Sequence, residues 1–172
     1  MSLLEGYNKY LHENPAEKYT IYCDMDGVIC DFEERFIHFF GMEPHAYEAK
    51  HGRNQFWKGI DEAGIKFWAG MKWMPEGKKL WDYISKYKPT LLTAPSLDDS
   101  SKIGKAVWRN KHLPGVTMKY KPAKYKSDLA GENKILIDDR EDTIDSWNAK
   151  GGIGILFKST DQVIDELKKL GL

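Results

Sequence analysis

The hydrophobic and polar positions of this chain define two kinds of segment. Five short apolar runs have the length of buried strands, and longer stretches between most of them repeat apolar residues every three or four positions. The predicted strands are YTIYC (19–23), PTLLT (89–93), GVTMKY (115–120), KILID (134–138) and GIGILF (152–157). Alternation of strands with helices predicts an α/β fold in which helices cover both faces of a parallel sheet.

The helical segments carry their own start signals. Ser159, with Gln162 three positions later, predicts a capping box, and Asp98 can cap the helix that follows it. In that second helix, Ile103, Val107 and Trp108 are predicted to face the core. The predicted helices cover residues 31–40, 76–87, 98–111 and 160–170.

The segment between the first two predicted strands, residues 27–88, is too long and too apolar to be a loop. We predict a small helical insertion that sits over the sheet. Its aromatic residues favour a core of the insertion's own, and the alternative is that one or two of them line a pocket and stack on a flat ligand. These aromatics are Phe56, Trp57, Phe67, Trp68 and Trp73.

Composition indicates a globular domain without a strong net field. The chain has 172 residues, of which 41% are hydrophobic and 30% charged, with 26 basic and 26 acidic residues. Such a balance gives no general attraction to nucleic acid or to a membrane surface. Every charged residue from Lys102 to Lys126 is nevertheless basic, which suits either a solvated helix face or a track for a polynucleotide.

The cysteines and the N-terminus suggest the compartment. Cys23 and Cys30 match no metal or redox spacing, and Cys23 is expected to pack inside the first strand as a small hydrophobic residue, so we expect a reducing environment. Residues 1–19 lack the continuous apolar segment of a signal peptide, and no stretch approaches the ~18 apolar residues of a membrane span. We therefore expect a cytoplasmic protein without a membrane partner.

Acidic and hydroxyl residues follow three of the predicted strands. Asp24 and Asp26 follow the first, Thr93 ends the second, and Asp138 and Asp139 follow the run KILI. The carboxyl ends of parallel strands share one edge of the sheet, where α/β proteins bind ligands. Four carboxylates there are tolerable around a hard cation, and oxygen ligands suit Mg²⁺. With a lysine and a hydroxyl nearby, the pattern predicts phosphoryl transfer.

In their order, the motifs DMDGV, LLTAP, a downstream lysine and LIDDR resemble the motif set of the haloacid dehalogenase (HAD) superfamily. DMDGVICDF, LLTAP, and LIDDR followed by W and GG resemble more closely its 5'(3')-deoxyribonucleotidase, or cytosolic type C 5'-nucleotidase, branch. The resemblance spans about residues 19–157. It implies a Rossmann-like core with a five-stranded parallel sheet (residues 1–30 and 89–172) and a small helical C1-type cap (residues 31–88).

The resemblance also implies catalytic roles. Asp24 would be the nucleophile that forms an aspartyl-phosphate, and Asp26 would be the general acid and base. Mg²⁺ would be held by the Asp24 carboxylate, the Asp26 backbone carbonyl and Asp139, with Asp138 alongside as a ligand or behind the ligands.

Phosphate binding is implied for Thr93, Ala94 and a lysine. The branch has Thr-Ser-Pro where this chain has Thr93-Ala94-Pro95, so one hydroxyl is missing and the backbone N–H of Ala94 would serve instead. Lys126 is favoured as the lysine because KSDLA can begin a short helix aimed at the edge of the sheet, and Lys124 is the alternative.

Within the same resemblance, Phe32 matches an aromatic residue that lies against the nucleotide base in the 5'(3')-deoxyribonucleotidase branch. Phe56 or Trp57 would do the same from the cap. The predicted activity is Mg²⁺-dependent hydrolysis of nucleoside monophosphates, with deoxyribonucleotides as the expected substrates. Two alternatives stay open: a HAD phosphatase for nucleic-acid 3'-phosphate ends or sugar phosphates, and a HAD-fold protein that binds nucleotide or metal without turnover. Nucleic acid is not the expected partner, and a homodimer is left open.

Overall fold

The computed structural model describes residues 15–172 and has a five-stranded parallel sheet at its centre. Its strands are β1 (Thr20–Cys23), β4 (Thr90–Thr93), β5 (Met118–Tyr120), β6 (Lys134–Asp138) and β7 (Ile153–Leu156), and β2 (Cys30–Asp31) and β3 (Lys72–Trp73) form a separate ribbon. The order of the five strands in the sheet is β5-β4-β1-β6-β7. All five predicted strands are present, and the predicted α/β fold with a Rossmann-like core is confirmed.

Helices surround this sheet and fill the insertion. The α-helices are α1 (Pro15–Lys18), α2 (Phe32–Phe40), α3 (Pro44–His51), α4 (Arg53–Ala63), α5 (Ile65–Ala69), α6 (Gly77–Ile84), α7 (Asp99–His112), α8 (Glu141–Ala149) and α9 (Thr160–Lys169). Two 3₁₀ segments cover Ser85–Tyr87 and Ala123–Leu129. The capping box of Ser159 and Gln162 is present at α9, and the Asp98 side chain accepts a hydrogen bond from Ser100 N–H at α7.

Both faces of the sheet are buried. Successive residues of a strand point to opposite sides of the sheet, and the residues on each side belong to a different core cluster. Ile21, Cys23 and Ile137 belong to the larger core cluster, whereas Tyr22 and Leu136 pack with Trp147 of α8 in a smaller one. The burial of both faces explains why the strand sequences read as continuous apolar runs and not as alternating ones.

The insertion is bracketed by a two-stranded antiparallel ribbon of β2 (Cys30–Asp31) and β3 (Lys72–Trp73). Helices α2–α5 lie between these strands in the sequence. Their core is aromatic, with the rings of Phe36 and Phe56 stacked at 4.8 Å. The division into a core and a cap at residues 31–88 stays a prediction. Helix α6 contacts α9, where Lys79 Nζ donates to Asp161 Oδ1.

The predicted core face of the helix over 98–111 is wrong at two of its three positions. Trp108 is fully buried, but Ile103 and Val107 are 49% and 45% exposed. The buried face of α7 instead carries Gly104 and Lys105. A Cβ on Gly104 would lie 2.5 Å from the Trp68 Cβ, so α7 and α5 approach too closely for large side chains.

Among residues 15–172, none of the helices has the length and apolar character needed to cross a membrane. The expectation that residues 1–19 carry no signal peptide falls mostly outside the described part of the chain.

Candidate active site

Strand register brings the first two acids together. β1 and β6 pair in parallel with Cys23 opposite Ile137, and the Asp24 N–H donates to the Ile137 carbonyl at 2.9 Å. The residues that follow this pair, Asp24 and Asp138, therefore lie side by side at the carboxyl edge of the sheet. β4 flanks β1 on the other side and ends there with Thr93, which is fully buried.

The chain turns sharply after Asp24. The backbone N–H groups of Val28, Ile29 and Cys30 all donate to the Met25 carbonyl, at 3.2, 2.9 and 2.8 Å. Gly27 has a φ of +77°, a conformation that L side chains rarely adopt. A Cβ at this position would lie 2.2 Å from Asp139 Oδ2, so the glycine leaves the space that the Asp139 carboxylate occupies.

Lys126 connects two of the acids. Its Nζ lies 2.9 Å from Asp24 Oδ1 and donates to Asp138 Oδ2 at 2.7 Å. Burial alone lowers the pKa of Lys126, but the charges of Asp24 and Asp138 outweigh burial and raise this pKa above its usual value. These two contacts leave one of the three ammonium hydrogens for a further acceptor. Lys124 is exposed, with its Nζ 4.7 Å from the ring centroid of Tyr125.

The carboxylates of Asp24, Asp138 and Asp139 can each place one oxygen within 4.8 Å of the other two. Burial, followed by the charge of Asp24, raises the pKa of Asp138 to about 6, with Lys126 opposing the shift. Asp139 is the exposed member of the three, and the loss of part of its hydration, followed by the charges of Asp24 and Asp138, raises its pKa to about 7. Three carboxylates that repel one another, one of them admitted beside the loop by the missing side chain of Gly27, fit a hard divalent cation, which these three side chains would hold.

Asp26, two residues after Asp24, has a different partner. Lys105 Nζ donates to Asp26 Oδ2 at 2.7 Å, and also to Thr93 Oγ1 and the Ala94 carbonyl. Burial raises the pKa of Asp26, whereas the charge of Lys105 lowers it in part. Sequence reasoning missed Lys105, because its position in a basic run indicated a solvated helix face. In the structure Lys105 shares the buried side of α7 with Ser101 and Gly104, and only the packing of this helix reveals it.

A cleft of about 850 Å³ opens between helix α4 and the loop that follows Thr93 and Ala94. Its size lies in the range of small-molecule sites, about 300–1,000 Å³. Trp57 lines it from α4, and Pro95 and Ser96 line it from the loop.

The other two aromatics expected near the substrate lie elsewhere. Phe56 is 7% exposed and packs in the aromatic core of the insertion. Phe32 is half-buried, with its ring 5.4 Å from Phe67 and 5.9 Å from Trp68. Of the three, only Trp57 lines the cleft.

Several solved structures share this fold. A hydrolase from Streptococcus pneumoniae TIGR4 matches with a TM-score of 0.55 at 15% identity, over 88% of this chain and 99% of that chain. A HAD-superfamily hydrolase of subfamily IA, variant 1, from Geobacter sulfurreducens matches with a TM-score of 0.54 at 12% identity, over 86% and 98%. A predicted phosphatase from Clostridium acetobutylicum has a TM-score of 0.53 at 15% identity, over 90% and 99%.

These similarities define the class of fold: the chain shares the Rossmann-like α/β architecture of these three structures, one of which is a HAD-superfamily hydrolase. None of the protein-family models matches the chain, and none of the curated proteins does. At such identities the likeness carries the fold alone. The chemistry must be argued from the site.

Proposed function

We propose that this protein is a Mg²⁺-dependent phosphomonoesterase that acts through an aspartyl-phosphate on Asp24. The observation that supports it most is the contact of Lys126 with Asp24 and Asp138, beside a third carboxylate from Asp139. An isolated carboxylate at the surface would not require a buried lysine and two further carboxylates around it. A phosphoryl group brought to Asp24 needs positive charge around it, which a divalent cation and Lys126 supply.

The residues divide the reaction into two steps. In the first, an Asp24 oxygen forms a bond to phosphorus, the bond to the leaving oxygen breaks, and Asp26 gives that oxygen its proton. In the second, Asp26 takes a proton from water, which attacks phosphorus, releases phosphate and regenerates Asp24. The free hydrogen of Lys126, the hydroxyl of Thr93 and the N–H of Ala94 would bind phosphate oxygens in both steps.

Nucleoside monophosphates, with deoxyribonucleotides first, are the proposed substrates. The cleft begins at Pro95, directly after the proposed phosphate-binding residues Thr93 and Ala94, and Trp57 lines it. A phosphate held at Ala94 would therefore have its organic part in the cleft, where an indole ring can stack on a base.

A sugar phosphate is the second candidate substrate. It is favoured by the burial of Phe56 in the insertion, which leaves Trp57 as the one proposed stacking residue that lines the cleft. A sugar phosphate needs hydrogen bonds more than stacking, and Asn54 and Ser96 also line the cleft.

Steady-state phosphate release tests these proposals. The panel contains deoxyribonucleoside and ribonucleoside 5'- and 3'-monophosphates, sugar phosphates and a 3'-phosphorylated oligonucleotide, each with Mg²⁺ and with EDTA. We expect Mg²⁺-dependent release that is fastest with a deoxyribonucleoside monophosphate. Release from none of them would contradict the proposal, and nucleotide binding without release would indicate a binding protein.

Two variants test the covalent step. Asp24→Asn removes the nucleophile with little change in shape, and the exposed Asp145→Asn is the matched control. We expect Asp24→Asn to abolish phosphate release and Asp145→Asn to leave it unchanged. Full activity of Asp24→Asn would show that the covalent mechanism is wrong.

A further inference from the structure

Lys105 is a lysine without solvent exposure that lies beside the proposed acid and base. Its Nζ donates to Asp26 Oδ2 at 2.7 Å, to Thr93 Oγ1 at 2.8 Å and to the Ala94 carbonyl at 2.9 Å. An ammonium group has three hydrogens, and these three acceptors use all of them. Unlike Lys126, Lys105 therefore has no hydrogen left for a phosphate oxygen.

The contacts of Lys105 leave one group on Asp26 and one on Thr93 for the substrate. Among residues 15–172, Asp26 Oδ1 is buried and has no hydrogen-bond partner, whereas Oδ2 is held by Lys105. Oδ1 is thus the oxygen that remains to exchange a proton with the leaving group. Because Thr93 Oγ1 accepts from Lys105, its own hydrogen remains to be donated to a phosphate oxygen.

Packing fixes the lysine from its own helix. Gly104, the residue before it, lies so close to α5 that a Cβ there would be 2.9 Å from the Ile65 carbonyl and 2.5 Å from the Trp68 Cβ. The ring centroid of Trp68 is 4.8 Å from Lys105 Nζ, within the range of a cation–π contact. The ammonium group is therefore held between an indole ring on one side and three oxygen acceptors on the other.

We propose that Lys105 is a positioning residue that orients the carboxylate of Asp26 toward the leaving oxygen and the hydroxyl of Thr93 toward the phosphate. This role rests on the proposed phosphomonoesterase function and goes beyond it. Lys105 links the loop after β1 to the end of β4, so that acid and phosphate donor keep a fixed relative placement. A buried ammonium with three fixed acceptors is suited to this task because it has little freedom to reorient.

A comparison of two substrates with different leaving groups tests this role, because a merely structural role of Lys105 would affect both substrates equally. Departure of a sugar oxygen needs a proton, whereas p-nitrophenolate leaves as an anion and needs none. The parameter kcat/KM covers the steps up to departure of the leaving group. For Lys105→Met we expect kcat/KM to fall about 100-fold or more for a nucleoside monophosphate and less than about 10-fold for p-nitrophenyl phosphate.

The control is Lys111→Met, the same change on an exposed residue of the same helix. We expect it to leave both values unchanged. An equal fall for both substrates in Lys105→Met, or no fall for either, would overturn the positioning role. If Lys105→Met does not fold, Lys105→Gln, whose amide can still donate to Thr93, is measured against the same criteria.

A structural measurement separates this inference from the proposed function. In crystals of the wild-type protein we expect Asp26 Oδ2 within hydrogen-bond distance of Lys105 Nζ, and in crystals of the variant we expect the Asp26 carboxylate to rotate. An unchanged Asp26 orientation in the variant would overturn the inference even for a protein without turnover. Inactivity of the wild-type protein toward both substrates would instead contradict the phosphomonoesterase function alone.

Discussion

Lys126 and Asp138 form an ion pair in which neither side chain is more than 2% exposed, with 2.7 Å between Nζ and Oδ2. The lysine comes from a 3₁₀ segment and the aspartate from the end of β6. Removal of one member of such a pair leaves an unpaired charge away from water. The pair is therefore expected to matter for the stability of the fold as well as for chemistry.

The first prediction concerns this lysine. Lys126→Met should lower the free energy of unfolding by about 3–5 kcal/mol in the absence of a cation, because Asp24 and Asp138 lose the positive charge that compensates their repulsion. Phosphate release should fall at least about 100-fold, since one donor to the phosphate disappears as well. Urea unfolding and steady-state kinetics measure the two effects.

Lys124→Met is the matched control for that change. Lys124 is exposed, so its replacement should change the free energy of unfolding by no more than about 0.5 kcal/mol. The rate of phosphate release should stay unchanged. Equal losses in the two variants would contradict the assignment of Lys126.

Much of the site could be predicted because strand ends are visible in the sequence. Apolar runs located β1 and β6, and parallel strands place their carboxyl ends at one edge, so Asp24 and Asp138 could be expected to meet. The resemblance to the HAD motif set implies a lysine before the fourth motif, and KSDLA, which can begin a short helix, favours Lys126 over Lys124. The contacts of Lys126 agree with that interpretation, while its role in catalysis stays a prediction.

The rest of the site could not be predicted because it depends on how helices pack. The pattern of α7 placed Ile103 and Val107 inward, since apolar residues usually face a core. The close approach of α5 at Gly104 turns the helix so that Lys105 is buried instead. Nothing in the sequence gives the rotation of a helix about its axis when its small and charged residues, and not its large apolar ones, meet a neighbour.

A second prediction follows from the raised pKa of Asp139. In the unfolded chain this carboxyl titrates near its ordinary value of about 3.9, whereas in the folded protein without cation its pKa is about 7. The folded state therefore keeps a proton that the unfolded state has lost, and stability without cation should fall as pH rises from about 4 to about 7.

Mg²⁺ should reverse this trend because it binds the deprotonated carboxylate. The rise in Tm caused by Mg²⁺ is expected to be small at about pH 5 and clearly larger at about pH 8. Thermal unfolding with and without Mg²⁺ at both pH values measures it, with Asp139→Asn as the variant in which the rise is lost. An equal rise at both pH values would show that Asp139 does not bind the cation.

A third prediction concerns the space beside Asp139. Gly27→Ala places a methyl group where the Asp139 carboxylate lies and forces a φ of +77° on an alanine. Displacement of the carboxylate should weaken Mg²⁺ binding about 10- to 100-fold, and the backbone strain should cost about 1 kcal/mol of stability. Calorimetric titration with Mg²⁺ and urea unfolding measure the two effects.

Gly115→Ala separates strain from steric displacement. Gly115 has a similar φ of +81° but nothing within 4 Å of the position that a methyl group would take, so its replacement should cost only the backbone strain. If Gly27→Ala and Gly115→Ala leave Mg²⁺ binding equally intact, the cation does not lie against Asp139.

The last prediction separates two adjacent aromatic residues of α4. Phe56 is 7% exposed and stacks on Phe36, so Phe56→Ala should lower the free energy of unfolding by about 3–5 kcal/mol. Trp57 is half-buried and lines the cleft, so Trp57→Ala should cost much less stability.

If a base stacks on the ring of Trp57, KM for a nucleoside monophosphate should rise about 10-fold in Trp57→Ala while KM for a sugar phosphate stays constant. Unfolding curves and KM values for both substrates give the comparison. A KM that changes for neither substrate would place the base away from Trp57, and an equal rise for both would show that Trp57 contacts a part that the two substrates share and not the base.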